Sequence, residues 1–159
     1  MKISWIEPDQ LAASSIPCSL ADMKSLHKQG IRAIISLPER PITRFRGIDA
    51  DLLANLDITY LHVPIQDHYA PTLDQAQTII RFIRSQTAQS RPVLVHCNAG
   101  VGRTGTILHT FFIARGLSVA EARMAIQQVR PQSTLVSFAQ REFLGELVNQ
   151  REVFADLGD

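Results

Sequence analysis

Arg91-Pro92-Val93-Leu94-Val95-His96-Cys97-Asn98-Ala99-Gly100-Val101-Gly102-Arg103-Thr104-Gly105 decides the reading of this chain, because an apolar run, a cysteine, a glycine-rich turn and an arginine follow one another without a gap. The run from Val93 to His96 is short, apolar and bounded by a proline, which predicts a buried strand. Residues Thr104 to Ala114 are apolar and compatible with a helix, so the stretch between is a strand-to-helix loop that ends at a helix N-terminus. Gly100 and Gly102 let the backbone between Cys97 and Arg103 curl, so that successive N–H groups face one point and form an anion nest. Nucleophile, backbone donors and guanidinium together suit a phosphate dianion.

Working outward, Ser19 to Asp22 starts a helix over 20–29 that Gly30 stops, and a strand follows from Ile31 to Leu37. A second strand, Ile58 to Val63, runs into the loop Pro64 to Pro71, and Thr72 with Gln75 forms a capping box for a helix to about residue 89. Beyond the cysteine loop the chain reads as helical. Ser118 and Glu121 cap one helix, Arg130-Pro131 closes it, and a last helix runs from Thr134 or Ser137 to Val153. Strands interleaved with helices predict an α/β fold: a small, mainly parallel sheet with helices on both faces and active loops at the strands' carboxyl ends.

The 159 residues suit one domain spanning 1–159, and 45% hydrophobic content supports a core without approaching membrane composition. No stretch reaches the length of a transmembrane helix, so no membrane insertion is expected. The net charge of +1 gives no global field for nucleic acid. Cys18 and Cys97 are too few for a disulfide framework, and a reactive thiol needs a reducing compartment, which points to the cytoplasm. His27, His62 and His109 have no metal-ligand spacing, and no metal or other cofactor is expected.

A thiolate attacks phosphorus, so Cys97 must ionise; the helix N-terminus, the nest donors and the Thr104 hydroxyl all favour its charged form. His96 should alternate away from Cys97 and order the loop backbone rather than act as an acid. Arg103 offers a planar fork to two equatorial phosphoryl oxygens. The leaving group then needs a proton, and Asp67 on the loop after the second strand is the candidate; Asp74, in the first turn of a capped helix, is the poorer one. His68 and Tyr69 follow the acid, and Tyr69 either lines the pocket mouth or packs against the domain. Glu39, Arg40, Arg44 and Arg46 lie on the irregular segment Pro38 to Gly47, either as a solvated loop or as a border of the pocket that helps choose substrates. Cys18 reads as a buried or idle thiol, with a redox partnership to Cys97 as the alternative.

With these residues in place the chain resembles the cysteine-dependent protein tyrosine phosphatase superfamily, and most closely its small dual-specificity-like members. The signature His-Cys-x5-Arg-Thr/Ser-Gly stands here as His96 to Gly105. The resemblance implies Cys97 as nucleophile, Arg103 and the backbone of Asn98, Ala99, Gly100, Val101 and Gly102 as phosphate binders, Asp67 as acid then base, and Thr104 as an aid to thiolate release. It also implies a glutamine that orients the hydrolytic water, for which Gln140 is the candidate and Gln132 the alternative. Two departures stand out: Gln66 occupies the place before the acid where relatives often carry proline, and Gln140 falls about one residue late. The implied activity is metal-free hydrolysis of phosphotyrosine, with phosphoserine and phosphothreonine as further substrates, on a phosphorylated protein or peptide. Phosphoinositide or small-phosphoester hydrolysis is the alternative, against which stands the lack of lysine between Cys97 and Arg103. A silent phosphate-binding module is a third reading.

Overall fold

Successive residues of the fully buried central strands alternate between two separate apolar clusters, and this alternation sets the layers. The computed structural model describes residues 1–157. Five strands, β1 (Ser4–Glu7), β2 (Leu11–Ser14), β3 (Ala33–Ser36), β4 (Thr59–His62) and β5 (Val93–His96), form one sheet in the order β1-β2-β5-β3-β4. The β1–β2 pair is antiparallel and every other pairing is parallel. Ala13, Ile35, Val93 and Val95 face one cluster with residues of α3 (Leu73–Ala88), α4 (Gly102–Ala114), α5 (Val119–Val129) and α6 (Phe138–Leu147). Ala12, Ile34 and Leu94 face the other, with Met23 and Leu26 of α1 (Leu20–Lys28) and Leu53 of α2 (Ala50–Asn55). The expected sheet covered on both faces is therefore present, with β5 at its centre.

Several element boundaries follow from caps. The Thr72–Gln75 and Ser118–Glu121 capping boxes close reciprocally as expected, and Gly30 takes φ +95° just past α1. Ser137 rather than Thr134 caps α6, its hydroxyl accepting from the Gln140 N–H at 3.2 Å. That helix does not reach Val153 as one α-helix. It ends at Leu147 and continues as a 3-10 stretch, Val148–Phe154, with Gln150 at φ −128°, ψ 27°.

Three features depart from the sequence reading. The strands are shorter than the apolar runs, since Ile31, Leu37, Ile58 and Val63 are buried beyond the ladder ends. The N-terminus forms the β1–β2 hairpin, turned at Asp9 with φ 56°, where no long apolar run announces a strand. The segment Pro38 to Gly47 is not wholly irregular, because Ile42–Arg44 makes a 3-10 turn whose Ile42 N–H donates to Tyr60 Oη at 3.1 Å.

Candidate active site

Cys97 leaves the carboxyl end of β5 with its side chain on the Val93 and Val95 face and is 4% exposed. Residues 98–101 turn the chain, and α4 starts at Gly102. Each of the other five α-helices has a side-chain N-cap, from Ser19, Asp49, Thr72, Ser118 and Ser137, whereas Val101 at the N-cap of α4 makes no side-chain cap bond. The first amides of α4 thus have no side-chain cap, the condition under which a helix N-terminus can hold an anion.

The loop is gripped from behind. Ser133 Oγ donates to the Gly100 carbonyl at 2.7 Å, and Arg130 reaches the same carbonyl at 3.4 Å and Ser133 Oγ at 2.8 Å. Gly100 sits at φ +73°, and a Cβ there would fall 2.4 Å from Arg130 Nη2 and 2.5 Å from the Ser14 carbonyl. Only glycine fits that place. On the other side the Ile16 N–H donates to the Asn98 carbonyl at 2.9 Å.

His96 lies fully buried beside Ser14 and Ser36 in the strand register, and its Nδ1 donates to the Cys97 carbonyl at 2.9 Å. Burial, with repulsion from His62 and Arg103, pushes its pKa down to about 4 despite that hydrogen bond. The ring is therefore neutral at pH 7, as a backbone-ordering role requires.

Arg103 is 2% exposed and its fork is already engaged. Nη1 donates to Glu39 Oε2 at 3.0 Å and to the Ile65 carbonyl at 2.9 Å, while Nη2 stands 3.4 Å from Asp67 Oδ1. Glu39 Oε1 also accepts the Asp67 N–H at 2.9 Å, so one carboxylate ties the Asp67 loop to the arginine. Backbone donors, first its own N–H and then that of Asp67, hold the Glu39 carboxyl below its ordinary range, and Arg103 adds to them. Arg103 Nε and Thr104 Oγ1 are buried without a hydrogen-bond partner. Both are free to donate to an acceptor in the loop.

Asp67 itself is 60% exposed and His68, at φ 66°, pairs with it at 3.7 Å. Tyr69 is 55% exposed, so its side chain does not pack into the interior. Gln140 is fully buried, accepts from the Val136 N–H at 3.0 Å and donates to the Tyr69 carbonyl at 3.3 Å. Both atoms of its amide would lie 3.2 Å from a Cβ on Gly102, so α6 brings it against the cysteine loop. Gln132 lines an open recess of about 510 Å³ with Lys2, Ser4, Ser15 and Ala99 instead. Asp74 sits in the first turn of α3, away from these contacts. Cys18 is exposed rather than buried, its thiol 3.6 Å from Asp22 Oδ2. Sequence reasoning missed Ser133 and the Glu39 bridge; Arg130-Pro131 and the charge cluster were the only signals.

A cysteine loop between a central parallel strand and an uncapped helix, with a buried arginine inside it, is the arrangement of the cysteine-dependent phosphatase domain. Residues 13–117 match the family described as "Polymorphic toxin system, DSP-PTPase phosphatase", and the chain belongs to that family. The dual specificity protein phosphatase Mpk3 of Drosophila melanogaster is 33% identical over 113 residues, 69% of this chain and 26% of its own length. The phosphatidylglycerophosphate phosphatase PTPMT2 of Arabidopsis thaliana is 27% identical over 145 residues, 89% of this chain and 61% of its own. The chain thus spans less than two thirds of either relative. Among solved structures, Tk-PTP in the active form superposes with a TM-score of 0.81 at 28% identity, covering 93% of this chain and 97% of that one. No helix among the described residues is long and apolar enough to cross a membrane.

Proposed function

We propose that this chain is a metal-independent protein phosphatase that hydrolyses phosphotyrosine, with phosphoserine and phosphothreonine as further substrates, through a phosphocysteine intermediate. Cys97 Sγ attacks phosphorus while the bond to the leaving oxygen breaks, and Asp67 gives that oxygen its proton. Water then attacks the phosphocysteine; Gln140 orients it, Asp67 takes its proton, and the Thr104 hydroxyl supports the departing thiolate. Arg103 and the N–H groups of residues 98 to 102 hold the phosphoryl oxygens throughout. The phenoxide of tyrosine leaves more readily than an alkoxide, so aryl phosphates are the better substrates.

The observation that carries this reading is the buried Arg103, whose Nε has no partner within the loop that also encloses Cys97. A second reading, hydrolysis of a phospholipid headgroup, draws on the PTPMT2 relative, whose likeness extends over 89% of the chain. The five residues between Cys97 and Arg103 carry no lysine, which weighs toward a singly phosphorylated group.

Turnover of p-nitrophenyl phosphate in the presence of a chelator tests the mechanism. Activity surviving in Cys97→Ser would sink the thiolate, and loss on adding chelator would sink the metal-free chemistry. If Asp67→Ala leaves the rate on phenyl phosphate untouched, the acid lies elsewhere.

A further inference from the structure

The recess of about 510 Å³ that Gln132 lines contains a buried positive charge with no counter-charge beside it. Its walls include Lys2, Ser4, Ser15, Ala99 and Arg130 as well, and no acidic residue. Ala99 belongs to the cysteine loop, so the two share a wall.

Arg130 is 5% exposed, yet it enters none of the ion pairs among the described residues. A guanidinium has five N–H donors. Nε donates to Ser133 Oγ, Nη1 to Ser4 Oγ and Nη2 to the Gly100 carbonyl, so each Nη keeps one N–H without a partner among the described residues. A buried charge is ordinarily paired, because taking an ion out of water is costly. Burial pushes the Arg130 pKa down, and the charge of Cys97 is what opposes it. Lys2 is exposed at the edge of the recess and also has no acidic partner among the described residues. Two cations, two serine hydroxyls and a side-chain amide without any carboxylate make a donor set suited to an oxyanion. The recess has room beyond a bare phosphate for a small polar group attached to it.

We propose that this recess is a second oxyanion site, separate from the Cys97 pocket, which takes a phosphate dianion, free or carried by a small polar metabolite, on the guanidinium that also holds Gly100. The binding stands apart from the phosphatase reading, and only its effect on turnover rests on that reading. Because occupant and loop draw on one guanidinium, filling the recess alters the loop that carries Cys97 and slows turnover even at saturating substrate.

Equilibrium dialysis of the full chain against radiolabelled inorganic phosphate tests the site, with Arg103→Ala removing the binding in the cysteine loop. The wild type binds phosphate at both places, and Arg103→Ala keeps the recess. In the Arg103→Ala background Lys2→Glu weakens the remaining binding ~10-fold, because a carboxylate replaces an ammonium beside the anion. Lys2→Glu alone leaves turnover of p-nitrophenyl phosphate, without added phosphate, within about twofold of wild type. Ribose 5-phosphate as competitor in Arg103→Ala separates the sources. Displacement at lower concentration than unlabelled phosphate assigns the recess to a carried phosphate group, and at equal or higher concentration to the free ion. A single phosphate on the wild type overturns the site even if Arg103→Ala fails to fold. Remaining binding that Lys2→Glu leaves unaltered overturns its place in the recess. In turnover, phosphate lowers kcat and raises KM in the wild type but only raises KM in Lys2→Glu; purely competitive inhibition of both overturns the tie to the loop. A wild type inactive on p-nitrophenyl phosphate removes the phosphatase reading, while the dialysis still decides the recess.

Discussion

Acidification should destabilise this protein through His96 in a window set by its burial. The ring is fully buried, donates from Nδ1 to the Cys97 carbonyl and leaves Nε2 without a partner, so a second proton would place a charge in the interior near Arg103 and His62. The unfolded chain binds that proton near pH 6.5 and the native chain near pH 4. Between those values the unfolded state holds more protons, so native stability rises with pH. The contribution is complete above pH 6.5 and is lost as pH falls toward 4. At about 1.4 kcal/mol per pH unit, the full displacement is worth about 3 kcal/mol. Urea unfolding of wild type and His96→Asn from pH 4 to 7.5 measures it. His109 and the carboxylates with depressed pKa values are common to both chains and cancel in the difference. The wild-type curve should therefore fall more steeply, by up to about 1.4 kcal/mol per pH unit near pH 5. Parallel curves across the window would refute a neutral, desolvated His96.

The glycines give a paired test. A Cβ on Gly105 would lie 2.5 Å from the Thr134 carbonyl and 2.8 Å from its N, so Gly105→Ala should cost about 2 kcal/mol and lower Tm by roughly 4–8 °C. Gly145 meets nothing within 4 Å inside α6, and Gly145→Ala should raise stability by about 0.5–1 kcal/mol in the same melt. Glu39→Ala removes both the Arg103 pair and the acceptor for the Asp67 N–H, so kcat on phenyl phosphate should fall about tenfold with little change in Tm. An unchanged kcat would show that the bridge does not place the acid. Arg130→Met should weaken inorganic phosphate as a competitive inhibitor by about tenfold, because Gly100 keeps only its Ser133 bond; unchanged inhibition would show that Ser133 alone holds the loop.

The layered fold was legible wherever a local rule governs it. The apolar run before Cys97 gave the central strand, the two capping boxes gave helix starts, and Gly30 gave a helix end. The β1–β2 hairpin was not legible, because Leu11–Ser14 is four small or apolar residues whose burial depends on β5 pairing beside them. The break at Gln150 was not legible either, because its own segment holds no glycine or proline to announce it.

The cysteine loop is the part of the candidate site that was legible in sequence alone, since cysteine, glycines, arginine and helix start are neighbours and their arrangement is set by spacing and backbone conformation. Tertiary structure decided everything that reaches the loop from a distance. Glu39 and Asp67 meet on Arg103 because β3 and β4 end side by side in a parallel sheet, and Gln140 meets Gly102 because α6 packs on α4. Such contacts join residues tens of positions apart, and no local propensity encodes the approach of two loops; only the strand order and the packing of the helices on the sheet do.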